Sequence, residues 1–66
     1  SPDAFVSIDV NGVLIIRNIS SDIWTVETPC GKVKTVESQG IMPVKEGLII
    51  MFKIREIPYR GEITNI

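Results

Sequence analysis

Twelve isoleucines and seven valines are set against two leucines, Leu14 and Leu48, and one alanine, Ala4. β-branched side chains lose rotamer freedom against the preceding turn of a helix and fit well on a pleated surface, so this bias selects strands over helices. A helical bundle of the same length leans on the leucine and alanine that are scarce here. The chain is therefore expected to be all-β, a small single-domain sandwich or barrel of roughly five to seven short, mostly antiparallel strands.

Size sets the scale of the core. A chain of 66 residues removes only about 60% of its unfolded surface from water, so one modest core is expected. Phe5, Trp24, Met42, Met51, Phe52 and Tyr59 add bulk to the isoleucines and valines. Self-association or a larger parent protein would supply further support.

Charge narrows the partners. The formal net charge is −1 with a pI near 5.2, and the cations from Arg17 to Arg60 are interleaved with Glu37, Glu46, Glu56 and Glu62. Nucleic-acid affinity comes from clustered cations that release counterions, so this pattern disfavours nucleic acid and an anionic membrane surface alike. Cys30 is the only cysteine, which excludes an internal disulfide and points to a cytoplasmic or otherwise reducing compartment. The longest apolar run, Leu48 to Phe52, is far short of the roughly 20 residues that cross a bilayer. Ser1 to Ala4 does not lead into a signal-peptide core. Asn18-Ile19-Ser20 matches the N-glycosylation pattern, a triplet common by chance and not expected to be used without a secretory signal.

Alternation locates the strands. In Phe5 to Val10, the residues Val6, Ile8 and Val10 share one face, and Asn11-Gly12 follows. Both of those residues tolerate positive φ, so a type I′ hairpin is predicted, with Val10 opposite Val13, Ile8 opposite Ile15 and Val6 opposite Arg17. Val13 to Ile19 is apolar on both faces and belongs inside a sheet or between layers. Ser20-Ser21-Asp22 reads as a turn. Ile23 to Thr28 alternates, with Trp24 and Val26 together, and ends at Pro29-Cys30-Gly31. Lys32 to Glu37 is polar enough for an edge. After a turn at Ser38-Gln39-Gly40, Ile41 to Val44 is extended but interrupted by Pro43. Lys45-Glu46-Gly47 turns again into Leu48 to Arg55, the longest strand, whose first half is expected to be buried on both faces. Pro58 and Gly61 are expected to bracket a bend, with a last strand over Glu62 to Ile66.

Little chemistry is in sight. Histidine is absent, which removes the commonest general base and neutral metal ligand. Cys30 sits in a turn that could expose its thiol, where Lys32 or Lys34 can lower its pKa, but without a base it reads as a plain turn or core cysteine. Asp9, Glu27 and Glu37 fall where strand residues meet solvent, not in a cleft that would tune a carboxylate pair. The glycines form no phosphate-cradling pattern and read as turn residues. No catalytic residue, metal site or cofactor is expected. Trp24, Phe52 and Tyr59 can be read as core or as an aromatic platform.

Two stretches resemble known families. Phe5 to Gly12, with Thr28-Pro29-Cys30-Gly31-Lys32-Val33, Val36, Gly40 and Val44-Lys45-Glu46-Gly47, resembles the turns of biotinyl and lipoyl carrier domains, which are barrel-sandwich hybrids. Gly40 stands one residue early. Where that family presents its cofactor lysine on a hairpin, this chain reads Ile54-Arg55-Glu56-Ile57-Pro58-Tyr59-Arg60, so the resemblance implies a non-carrying relative. The second half of that sandwich has no counterpart in this sequence. Val13 to Val26, through Arg17-Asn18-Ile19-Ser20-Ser21 and Trp24-Thr25-Val26, together with Pro43 to Phe52, resembles a degenerate forkhead-associated domain. The phosphothreonine-binding Arg and Ser-x-x-His of that family have no counterpart here, so canonical phosphopeptide binding would be lost.

The expected function is a non-enzymatic module of protein–protein interaction or assembly, acting within a larger protein or through self-association. The alternative is a small open barrel that binds a peptide or single-stranded nucleic acid through Trp24 and Tyr59 with Lys32, Lys34 and Arg60. Strand addition at the Lys32 to Glu37 edge is a third mode.

Overall fold

The computed structural model describes residues 3–65, and they form seven antiparallel strands in two sheets with no helix among them. The strands are β1 (Ala4–Ile8), β2 (Leu14–Asn18), β3 (Trp24–Glu27), β4 (Val33–Val36), β5 (Ile41–Pro43), β6 (Ile49–Ile54) and β7 (Ile57–Glu62). One sheet has the order β1-β2-β5, the other β4-β3-β6-β7. The composition's preference for an all-β domain is met, in the form of a sandwich. Among the described residues no helix is long and apolar enough to cross a membrane.

The core belongs mostly to the four-stranded sheet. Its buried apolar residues are Trp24 and Val26 on β3, Val36 on β4, Leu48 just before β6, and Ile50 on β6. Ile16 of β2 and Met42 of β5 pack onto this cluster from the other layer. Alternation explains the selection, because Val36 pairs with Trp24 and Ile50 with Val26, which places all four on one face. As expected, β2 is a central strand and β4 an edge. The first half of β6, expected to be buried on both faces, has Ile50 buried on the inner face and Ile49 and Met51 only partly buried on the outer one.

The first hairpin is displaced by one residue from the predicted register. Ile8 pairs with Leu14, Ser7 with Ile15 and Val6 with Ile16. The Asp9 N–H donates to the Val13 carbonyl (2.9 Å), the Gly12 N–H to the Asp9 carbonyl (3.0 Å), and Gly12 has φ +78°. This is a three-residue loop, a type I turn closed by a left-handed glycine, rather than the two-residue type I′ turn. The Asp9 carboxylate selects it by accepting the N–H groups of Asn11 and Val13, both at 2.9 Å. A slip of one residue exchanges faces, so Leu14, Ile16 and Asn18 turn inward in place of Val13, Ile15 and Arg17.

The same loop recurs between β3 and β4. Thr28 N–H meets the Lys32 carbonyl (2.8 Å), Gly31 N–H meets the Thr28 carbonyl (2.9 Å), and Gly31 has φ +89°. Here the Thr28 hydroxyl takes the part of the Asp9 carboxylate, accepting the Lys32 N–H at 3.1 Å.

A type I′ turn does exist, between β6 and β7. Ile54 pairs with Ile57, leaving Arg55 (φ 51°) and Glu56 (φ 68°) as the two loop residues. This hairpin removes the expected bend between Pro58 and Gly61, since β7 runs through both, opposite Lys53 and Ile50. Pro58 is tolerated because β7 is an edge and a free N–H is not needed there. Residues 63–65 are not a strand, and Ile66 lies outside the described residues. Instead, the Ile63 N–H donates to the Leu48 carbonyl (2.9 Å), its carbonyl accepts the Gly47 N–H (2.8 Å), and its side chain packs on the core.

Candidate functional site

The five residues singled out as contacts are not brought together. Trp24 is 4% exposed and sits at the centre of the core, where it meets only a cleft of about 220 Å³ lined also by Ile16, Ile50 and Phe52, so its ring is not an open platform. Lys32 and Lys34 are exposed at β4, while Tyr59 and Arg60 are exposed on β7. β4 and β7 are opposite edges of the same sheet, separated by β3 and β6, or about 14 Å at the usual strand spacing. Tyr59 stacks on Phe52 with ring centroids 5.9 Å apart and planes inclined by 19°. Arg60 pairs with Met51 on the outer face of the sheet.

Lys34 occupies an unexpected place. It pairs with Val26 and so lies on the inner side of the sheet, at the open margin between β4 and β5. A cleft of about 300 Å³ runs there, with Val26, Val36, Met42 and Leu48 among its lining and Lys34 and Lys45 beside it.

Cys30 is exposed at the tip of the second hairpin. Its thiol lies 3.2 Å from the Thr28 hydroxyl. That hydrogen bond, the Lys32 backbone N–H and the charge of Lys34 hold its pKa below the ordinary thiol value. No group of three or more His, Cys, Asp or Glu side chains among the described residues is placed to hold a metal ion.

The residue the sequence reading undervalued is Asn18. It is 0% exposed, on the inward face of β2. Its Nδ2 donates to the carbonyls of Asp22 (2.8 Å) and Val36 (2.9 Å). Its Oδ1 accepts from the Ser20 N–H (3.0 Å) and the Ser20 hydroxyl (2.6 Å). Both donors and both acceptor positions of the amide are filled. The bond to Val36 ties the two sheets together, and the Asn18 main chain adds bonds to Gly40 (2.9 Å) and Gln39 (2.6 Å). With both Nδ2 hydrogens engaged and no exposure, Asn18 offers no amide for a glycan in the folded chain. The signal available in the sequence was the run Asn18-Ile19-Ser20-Ser21-Asp22, a cluster of side chains that bond their own backbone.

The surface feature that stands out is apolar. Among the described residues eleven large hydrophobics are exposed, and six of them, Phe5, Val6, Ile8, Val10, Val13 and Ile41, belong to the three-stranded sheet and its hairpin. Every residue of β1 is exposed. No protein-family model, curated protein or solved structure matches this chain.

Proposed function

We propose that this domain is a non-catalytic protein-contact module, and that it acts through the β1-β2-β5 sheet. The observation that carries the reading is the placement of apolar surface. Phe5 is 61% exposed, Val6 55%, Ile8 68% and Ile41 52%, all on one three-stranded sheet. Phe5 and Ile41 lie on its outer face on either side of Arg17, and Val6 and Ile8 on its inner face beyond the edge of the core. Exposed apolar surface on both faces of one edge strand marks a contact with another protein more often than solvent exposure for its own sake. The four-stranded sheet carries the core and holds the shape. The three-stranded sheet, tied to it by Asn18, presents the surface.

The reading separates from the open-barrel alternative on the burial of Trp24 and the distance between the lysine and tyrosine edges. Its test is site-specific photo-cross-linking in the cell that makes the protein, with benzophenone at position 5 or 41 and a control at Thr35. Discrete protein adducts from positions 5 and 41, lost when the neighbouring position is made lysine, are expected. Equal adducts from position 35, or none from either surface, would overturn it.

A further inference from the structure

We infer that β1 is a self-complementary edge, and that a second copy of this chain pairs with it antiparallel about a two-fold axis at Val6. The inference rests on the contact-module reading and names its partner. Four strands lie at sheet edges: β1, β5, β4 and β7. Three of them carry the devices that block edge pairing. β5 has Pro43, β4 has Lys34, and β7 has Pro58, Arg60 and Glu62. β1 reads Ala4-Phe5-Val6-Ser7-Ile8, with no charge and no proline.

Hydrogen-bond parity fixes the register. The Ile19 N–H bonds the Asp3 carbonyl (3.1 Å) and the Asp9 N–H bonds the Val13 carbonyl (2.9 Å), so the odd residues of β1 face β2. The N–H and C=O groups of Ala4, Val6 and Ile8 therefore point away from the sheet, unpaired within it. An antiparallel copy centred on Val6 pairs all of them, Val6 with Val6, Ala4 with Ile8 and Ile8 with Ala4. The side chains then match by size, because Ala4 stands opposite Ile8 on one face and Ser7 opposite Phe5 on the other. A continuous six-stranded sheet results, β5-β2-β1 joined to β1-β2-β5 of the second copy.

Surface area supports the same partner. The chain exposes 4888 Å² at 7.3 kDa, where a folded monomer of this mass exposes about 4,200 Å². The excess, about 700 Å², is close to the roughly 800 Å² that each partner buries in a stable interface. The radius of gyration, 11.6 Å, is likewise above the about 10.8 Å of a compact chain of this length.

The register also sets Asp3 opposite Asp9 of the second copy, a like-charge pair at each end of the joined strands. Association therefore strengthens with salt. Sedimentation equilibrium of the full chain tests the inference, at loadings from about 1 µM to about 1 mM. The expected mass rises toward twice 7.3 kDa. Ser7→Lys weakens the dimer by about tenfold or more, and Asp3→Asn tightens it about threefold, as edge charges and like-charge pairs require. Val6→Pro is the second disrupting variant. It removes an N–H that the monomer does not use, and buried Trp24 emission reports that each variant is folded. A monomer at every concentration, or a dimer indifferent to both folded variants, overturns the inference. If cross-links from positions 5 and 41 then reach a different protein, the contact-module reading stands without the homodimer.

Discussion

The two sheets divide the work of the molecule unequally. The four-stranded sheet and Leu48 at its entry supply the buried apolar residues of the core, and proline or charge guards both edges of that sheet. The three-stranded sheet contributes only the partly buried Ile16 and Met42 and leaves β1 exposed along its length. A 66-residue chain with this many β-branched residues has more apolar surface than one small core can absorb. The surplus is unevenly placed. Six of the eleven exposed large hydrophobics among the described residues lie on the three-stranded sheet and its hairpin, which holds almost none of the core, and the other five lie at the margins of the sheet that does.

The sharpest way to break this comparison is to truncate one large residue in each sheet. Trp24→Ala empties the centre of the core and is expected to cost about 3–5 kcal/mol, against about 3–5 kcal/mol of total stability for a domain this small. Urea denaturation should then show no cooperative transition. Phe5→Ala, measured where the chain is monomeric, is expected to shift stability by under about 0.5 kcal/mol, because Phe5 is mostly in solvent. Similar losses at both sites would mean that the two sheets share one core after all.

Asn18 is where the comparison can be loosened without touching the core. Asn18→Ala leaves the Val36 and Asp22 carbonyls and the Ser20 N–H without their partner. The expected loss is about 2–4 kcal/mol, the range for emptying a buried, fully bonded polar site. Its signature is regional. Hydrogen exchange should accelerate first at β1, β2 and β5, while β3 and β6 amides keep their protection. Uniform acceleration would show that the amide holds the whole domain and not the join between sheets.

Much of this was legible where one signal acted alone. Trp24 and Val26 alternate with Thr25 and Glu27, and nothing competes with that pattern, so β3 and its inward face follow from the sequence. The first hairpin was misread because two signals compete. Asn11-Gly12 favours a two-residue loop, yet the Asp9 carboxylate, bonding two N–H groups ahead of it, selects the three-residue loop. The Arg55-Glu56 turn was invisible for the opposite reason, since neither residue type favours positive φ. Only the pairing of β6 with β7, from Ile49–Glu62 to Ile54–Ile57, forces them into it. Asn18 was hidden by its chemistry, because a single asparagine in a strand shows its burial only when both sheets are in place.

That forced turn gives the one expected gain. A non-glycine residue in the left-handed region is strained by about 1 kcal/mol. Arg55→Asn with Glu56→Gly relieves both positions with the residues a type I′ loop prefers. The four-stranded sheet should gain about 1–2 kcal/mol, read as a higher urea midpoint with an unchanged slope. No gain would mean that contacts made by the Arg55 and Glu56 side chains offset the backbone strain.

The smallest effect compares the two matching loops, one in each sheet. Asp9 and Thr28 do the same structural work, but only Thr28 has a thiol beside it. The lowered pKa of Cys30 means that its thiolate forms at lower pH than that of a simple thiol, so alkylation by iodoacetamide should begin earlier on a rising pH scale. Thr28→Val removes the leading cause and should move the profile upward, toward that of an unfolded peptide of the same sequence. The linked effect on folding has a definite sign. A group whose pKa is depressed in the folded chain favours folding above its unfolded pKa, and this contribution is lost as the pH falls through the folded one. Asp9→Ala should leave the Cys30 profile in place while loosening the first hairpin, which separates the turn's shared geometry from the chemistry found in only one of the loops. Coincident alkylation profiles for the parent chain and Thr28→Val would remove the hydroxyl from the account.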